Sequence, residues 1–314
     1  MPVTWITPVT KTLGADATWT DIDVSANIGG TATAVVVHVV IDAIDKDGGV
    51  RKNGSTDARV QSFEMTRNVT AIVGVDGSQI FEGYAETDAN ASFVITGWLD
   101  GDYTANTNAD DVSLAGINAW TDVDISTESS SAALMASLEM TSTVQTLTCG
   151  IRVNGSTDDR RQQLSEHGFW QTGVDGSYIF EGYINNLATD FFLLGWMTAG
   201  YTDITNGNSL AGAETAASGY FDLTAVTAGA IGAVFEGNAS GAAERSWHVR
   251  EKGATTDLYF DMSRDGCISA KVDASRLAEA KKEVAGDEIF EIGYYTSGAA
   301  PAATVALWQL LGVS

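Results

Sequence analysis

The chain has 314 residues and a formal charge of −24, from 41 acidic against 17 basic side chains, yet only 18% of its residues are charged. A 44% apolar content excludes wholesale disorder, and the scarcity of Lys and Arg argues against nucleic acid or an anionic membrane surface as partners. No run approaches the roughly 18 apolar residues of a spanning helix, the two cysteines Cys149 and Cys267 make no disulfide framework, and the opening MPVTWITPVTKTLGAD lacks the basic-then-apolar order of a secretory leader, so none is expected.

In chain order, residues 1–13 are β-prone. Their apolar members Val3, Trp5, Ile6, Val9 and Leu13 need a partner surface, because burying one large apolar side chain is worth about 1.5–3 kcal/mol. The segment is expected either as an arm that anchors the chain to a larger particle or as the first strand of a domain. A series of short elements follows. WTDIDVS at 19–25 alternates polar and apolar, TATAVVVHVVI at 31–41 is a β-branched buried strand, and VRKNGSTD at 50–57 and GVDGSQIFEGY at 74–84 carry Asn-Gly and Asp-Gly turns. FVITGWL at 93–99 is a closing strand and TANTNADDVSLAG at 104–116 reads as a polar linker. The series then repeats: WTDVDIS at 120–126, IRVNGSTD at 151–158, GVDGSYIFEGY at 173–183, FFLLGWM at 191–197, and a second linker TDITNGNSLAG at 202–212. A weaker third copy has YFDLTAV at 220–226 and VREKGATT at 249–256. There DASRLAEAKKEVAG, 273–286, reads as a helix between Ser275 and Gly286, inside an insertion of about 12 residues that displaces IFEIGYY to 289. VALWQLLGV at 305–313 reads as the third closing strand.

A period near 100 residues is the size of a domain and too long for a solenoid repeat. The expected fold is all-β: three tandem antiparallel β-sandwich, jelly-roll-like domains at 1–105, 106–204 and 205–314, the last with a helical insertion near 273–286.

The candidate chemistry is thin. His38, His167 and His248 fall at no common repeat position: His38 reads as a strand residue and His167 as a loop. No nucleophile elbow, zinc helix or cysteine pair is present. The chain is therefore expected to be non-enzymatic, with no cofactor and no metal. Asp42, Asp45 and Asp47 lack calcium-loop spacing and read as a solvated turn. Arg51, Arg152 and Arg250 precede the turn in every copy, and Glu82, Glu181 and Glu291 follow a Phe in every copy. Paired as Arg51–Glu82, Arg152–Glu181 and Arg250–Glu291, they are expected as structural ion pairs, with a ligand-binding pair as the alternative. Trp98 and Trp196 lie in apolar strands and read as packing residues, whereas sugar stacking is their alternative.

The runs VRKNGSTDAR with GVDGSQIFEGY, and IRVNGSTDDRR with GVDGSYIFEGY, resemble β-sandwich repeat modules in virion structural proteins of tailed bacteriophages. Such modules occur in head-decoration proteins, fibres and tail appendages. The resemblance implies a non-enzymatic virion subunit, made in the host cytoplasm and placed on the particle. Its implied partners are copies of itself, with a homotrimer expected, and other virion proteins such as the major capsid protein. Two alternatives stand beside it: an extracellular or cell-surface filament subunit that exchanges strands, and a carbohydrate-binding array that meets a host surface glycan.

Overall fold

A computed structural model gives the fold and describes residues 3–43, 46–63, 67–130, 132–144, 147–164, 166–210, 219–223, 226–238, 246–255, 266–284 and 286–297. The first domain contains β1 (Val3–Lys11), β2 (Thr20–Asp23), β3 (Ala34–Ile41), β4 (Lys46–Lys52), β5 (Gln61–Phe63), β6 (Arg67–Gly74), β7 (Ile80–Ala85) and β8 (Ala91–Leu99). The second contains β9 (Tyr103–Asp111), β10 (Thr121–Asp124), β11 (Met135–Ser142), β12 (Leu147–Val153), β13 (Gln162–Leu164), β14 (His167–Gly173), β15 (Ile179–Ile184) and β16 (Thr189–Met197). The third contains β17 (Tyr201–Ser209), β18 (Phe221–Asp222), β19 (Gly232–Asn238), β20 (Trp247–Glu251), β21 (Cys267–Lys271), β22 (Ala278–Lys282) and β23 (Glu288–Tyr295). All pairings are antiparallel. One sheet runs β1-β8-β3-β6 and faces β2-β7-β4-β5; the later domains repeat this as β9-β16-β11-β14 with β10-β15-β12-β13, and β17-β23-β19-β21 with β18-β22-β20. The protein is three repeated β-sandwiches.

Four features differ from the sequence expectation. The polar segments taken for linkers are the edge strands β9 and β17, and the domains meet at residues 100–102 and 198–200. An edge strand has one neighbour and a wet side, so it tolerates Asn, Thr and Asp where a central strand does not. His167 lies in β14, fully buried, and not in a loop.

The helix over 273–286 is absent. Asp273 Oδ1 accepts the backbone N–H groups of Ser275 and Leu277, both at 2.8 Å, and Arg276 sits at φ 64°. A residue in that left-handed region cannot belong to a right-handed helix. Residues 278–282 then pair with β20 and alternate between buried and half-buried. Ala, Leu and Lys favour helix locally, but propensity is a weak prior beside sheet pairing. The same turn recurs at Asp76 with Gln79 at φ 63°, and at Asp175 with Tyr178 at φ 66°. In all three turns the positive φ falls three residues after the Asp, and the Asp-Gly glycines Gly77 and Gly176 do not supply it. Ala274 can therefore replace glycine in the third copy.

The third copy consequently has no 12-residue insertion. Its counterpart of IFEGY is LAEAK, and IFEIGYY belongs to the closing strand β23, where Gly293 stands opposite Val234 as Gly97 stands opposite Val36. The segment 305–313, expected as the third closing strand, lies outside the described residues.

Every residue of β3 is buried, although a sandwich strand has only one core face. Val35, Val37, Val39 and Ile41 enter the core of the first domain, whereas Ala34 and Val36 enter a cluster shared with Met135, Val234 and Tyr295 of the other domains. The second face is therefore covered by neighbouring domains. The accessible surface is 12289 Å2, close to the roughly 12,500 Å2 of a single globule of this mass and well below the roughly 17,000 Å2 of three separate domains.

Candidate functional site: the three domain interfaces

Arg51 stands opposite Glu82 across β4 and β7, with Nε–Oε2 at 2.8 Å and Nη2–Oε1 at 3.1 Å. Its remaining amine donates to the Asp57 carbonyl, and its guanidinium lies 4.2 Å over the Trp19 ring. Arg152 repeats every contact, with Glu181 at 2.9 and 3.3 Å, the Asp158 carbonyl, and Trp120 at 4.2 Å.

The third pair differs from the expectation. Arg250 meets Glu279, at 3.1 Å from Nη2 and 3.2 Å from Nε, and lies over Tyr220. Glu291 sits on β23, in the other sheet, and accepts from Thr227 and Asn208. Register is the cause: Glu279 faces Arg250 as Glu82 faces Arg51.

The aromatic partner explains a glycine. A Cβ at Gly49 or Gly150 would meet the Trp19 or Trp120 ring at 3.1 or 2.7 Å. In the third domain His248 takes the glycine's place and the smaller Tyr220 takes the indole's, the two joined by a 2.8 Å hydrogen bond. A guanidinium covers one face of Trp19 and of Trp120, and both rings are half-buried. Trp98 packs on Gly29, and Trp196 is buried with Nε1 donating to Ser130 Oγ at 3.2 Å. Replacing Arg51 by Met is expected to cost about 1–2 kcal/mol without disturbing neighbouring domains, as measured by urea unfolding and amide exchange. A loss of exchange protection spreading into the second domain would contradict an intradomain role.

The repeated NGSTDxR run acts between domains. Ser55 Oγ and the Thr56 N–H donate to Asn108 Oδ1 of the next domain at 3.0 and 2.8 Å, and Asp57 accepts the Ala109 N–H at 2.8 Å. Arg59 Nε reaches Glu139 Oε2 at 2.7 Å, and the other oxygen of Glu139 lies 2.7 Å from His167 Nε2. The second interface repeats this. Ser156 and Thr157 donate to Asn206, Asp158 accepts the Gly207 N–H, and Arg160 Nε meets Glu236 at 2.7 Å. Here Gln162 Nε2 takes the role of His167, donating to Glu236 Oε1 at 2.6 Å. These locks were not foreseen, although both arginines recur six residues after the turn Asn.

The second interface carries more acid than base. Arg160 faces Asp158 and Glu236, and Asp203 projects into the space over Gly173 where a Cβ would stand. Burial pushes the Glu236 carboxyl up, against the pull of Arg160. Burial also raises Asp203 to about 6, with the Gly173 N–H and Arg160 opposing it. A carboxyl with a raised folded-state pKa contributes stability that is present below its ordinary range near 4 and lost as pH rises through 6. Asp203→Asn is therefore expected to exceed the wild type in stability at pH 8 by about 2 kcal/mol and to match it near pH 4, as followed by denaturant melts across pH. An Asn variant weaker than wild type at pH 8 would overturn this sign.

Three head-to-tail steps close a ring, in which β6, β14 and β21 meet at the centre. Gln171 reaches both neighbours there: its N–H donates to Cys267 Sγ at 3.1 Å, Ser269 Oγ donates to its Oε1 at 3.1 Å, and its Nε2 donates to the Thr70 carbonyl at 3.4 Å. Among the described residues the third step, from domain 3 to domain 1, shows no counterpart of the Arg59–Glu139 and Arg160–Glu236 pairs. Ala254 stands for Ser55, and His38 stands for Glu139 and Glu236 in β3. The position of Arg59 falls on Leu258, outside the described residues. The His38 and His248 rings meet edge-on, with centroids 6.1 Å apart. A cavity of about 60 Å3 lies there between Trp5, Pro8, His38 and His248, against about 10 Å3 at the corresponding place between domains 1 and 2.

The segment expected as an anchoring arm is β1, which pairs with β8. Val3 is buried, Ile6 and Leu13 pack on the core of domain 1, and Trp5 crosses the third interface to lie edge-on to Tyr295 at 5.8 Å. Val9 stands opposite Ile95. Among the described residues no three His, Cys, Asp or Glu side chains converge as metal ligands. Asp45 of the acidic turn lies outside the described residues.

No family model and no curated protein matches the chain. Weakly similar solved structures include the following two. One is the N-terminal CBM22-1-CBM22-2 tandem domain from Paenibacillus barcinonensis Xyn10C, at 9% identity over 61% of this chain and 86% of that one, with a TM-score of 0.18. The other is a chain of the entire lipid-containing bacteriophage PM2, at 9% identity over 92% of this chain and 86% of that one, with a TM-score of 0.17. Likeness at this level decides neither fold nor ligand.

Proposed function

We propose that the protein is a non-enzymatic structural subunit of a virion, a head-decoration protein or a fibre or appendage subunit, that acts as a rigid three-lobed body. The observation that carries this reading is where the repeated polar residues go. Arg51, Glu82, Arg152 and Glu181 clip strands within domains, while Ser55, Arg59, Ser156 and Arg160 lock one domain to the next. The side chains that the repeats preserve are spent on shape. Such a body offers broad β-surfaces in threefold array from one chain, and a homotrimer, if formed, joins units that are already three-lobed. The major capsid protein or another virion protein is the partner this reading requires. An antibody raised against the purified protein should decorate particles purified from the host culture and detect stoichiometric amounts in them. Particles free of the protein, with the protein remaining in the soluble fraction, would contradict it; binding on a glycan array would move the carbohydrate-binding alternative ahead.

A further inference from the structure

Domains 1 and 2 share their turns and clips but differ at one end of the sandwich. Among the described residues the exposed large apolar side chains are Ile117 (45%), Leu134 (40%), Val144 (44%) and Leu187 (60%), all in domain 2. Three of them gather around the turn between β15 and β16. Leu187 lies in that turn, the Thr143 N–H before Val144 donates to the Ala188 carbonyl at 3.3 Å, and the Asn118 N–H after Ile117 donates to the Ile184 carbonyl at 2.7 Å. Leu134 precedes β11 at the opposite end, where its N–H donates to the Met197 carbonyl. A lone apolar side chain on a surface is ordinary, whereas three converging from three loops mark a patch.

The same bonds fix the counterparts in domain 1. Ala17 bonds Ala85 as Asn118 bonds Ile184, and Asp42 bonds Asn90 as Thr143 bonds Ala188, so Ile117 stands for Asp16 and Val144 for Ala43. Stretches 14–18, 41–47 and 86–91 of domain 1 hold Asp16, Asp42, Asp45, Asp47, Glu86 and Asp88 beside Lys46, whereas the corresponding stretches 115–119, 142–148 and 185–189 of domain 2 hold no charged residue. In domain 1 the charges close the end on itself. Asp88 accepts the Leu13 N–H at 2.9 Å, Asp16 accepts the Asp88 N–H at 2.6 Å, and Lys46 pairs with Glu86 at 2.6 Å. In domain 2 neutral amides tie the backbone instead: Asn185 Oδ1 accepts the Thr148 N–H and Asn186 Oδ1 accepts the Ala188 N–H, both at 2.9 Å. The loops are thus held without charge, and the three aliphatic tips take no part in holding them. Loss of charge together with exposed apolar side chains is the composition of an interface centre. The corresponding end of domain 3 falls largely outside the described residues.

We infer that this end of domain 2 docks into an apolar cleft, bordered by basic side chains, on another protein; the inference rests on the virion reading, in which that protein holds the subunit on the particle. Shape and charge select this occupant. Three half-exposed side chains fall far short of the roughly 800 Å2 per partner of a stable interface, so two such tips abutting do not make a dimer, whereas a cleft wraps a convex tip and buries its flanks as well. Glu166, whose carbonyl accepts the Ser142 N–H, and Asp190, beside Thr189, stand at the margin. With the net charge of −24 they call for positive charge opposite and repel both a second copy and an anionic bilayer. The test places Ile117→Asp, Val144→Ala and Leu187→Ala together in the full chain, with Leu134→Ala as a control at the opposite end. The altered side chains are exposed, so the variants should unfold in urea as the wild type does. The probe is the particle purified from the host culture and stripped of the protein. The triple variant should rebind about ten-fold more weakly than the wild type, Leu134→Ala should rebind normally, and wild-type binding should weaken as salt is raised. If the triple variant fails to fold, Leu187→Ser alone makes the comparison, with about a three-fold loss expected. Rebinding of the variant at wild-type strength would overturn the docking surface and leave the virion reading standing, whereas a wild type absent from particles and unable to rebind would overturn both. Sedimentation of the wild type with phosphatidylcholine vesicles, lost in the triple variant, would overturn the inference in favour of a lipid surface. A doubled mass in sedimentation, lost in the same variant, would overturn it in favour of a second copy.

Discussion

Arg160→Met is expected to lower stability by about 3–5 kcal/mol, because it strands a charge in a dry interface. Arg160 has 7% and Glu236 has 1% of its side chain exposed, so water cannot replace the lost partner. Gln162 still donates to Glu236, but an amide does not cancel a charge. Glu236 then takes up a proton in the folded state more readily than it already does, which makes the defect pH-dependent. The variant is expected to recover stability as pH falls toward the ordinary carboxylate range and to be weakest above pH 7. Adding Glu236→Gln should restore part of the loss at neutral pH, since it removes the most deeply buried of the stranded acids, while Asp158 and Asp203 still lack their Arg160 partner. The check is a double-mutant cycle by urea unfolding at pH 5 and pH 7.5. If the single and double variants are equally stable at both, the pair is no lock.

Deleting residues 1–13 is expected to unfold domain 1 and to free no folded body. The deletion removes all of β1, leaves β8 with an open edge, and takes away Val3, Trp5, Ile6 and Leu13, each worth roughly 1.5–3 kcal/mol where buried. The sum is about 5 kcal/mol or more, comparable with the whole stability of many domains. Domain 3 should also feel the loss, because the Trp5 indole fills space over Gly232. Circular dichroism and amide exchange on the truncated chain would show it. A truncated protein that melts cooperatively at the wild-type temperature would instead support the arm.

The architecture was legible because the repeat is written in turns and strands, whose signals are local. The pairs Arg51–Glu82 and Arg152–Glu181 follow from residues fixed in the same repeat positions. The third pair needed a subtler signal that the sequence does contain. Asp76 to Glu82, Asp175 to Glu181 and Asp273 to Glu279 all span the same interval, and Ser stands two residues after each Asp. Helix-forming residues obscured it, because local propensity speaks before pairing is known. The interdomain locks were not legible. Arg59 and Glu139 are separated by 80 residues, and nothing in either local run names the other. A buried acid in an apolar strand, Glu139 in MASLEMTS and Glu236 in GAVFEGN, was the available hint, since such a charge needs a partner.

The closed ring of three domains is the central claim, and small-angle scattering on the monomeric fraction tests it most directly. A single body of this length should have a radius of gyration of about 20 Å. Three domains of this size strung in a row would give roughly 28 Å. A value near 20 Å at a scattering mass of 33.0 kDa is the expected result, and a value near 28 Å at that mass would contradict the ring and the interfaces built on it.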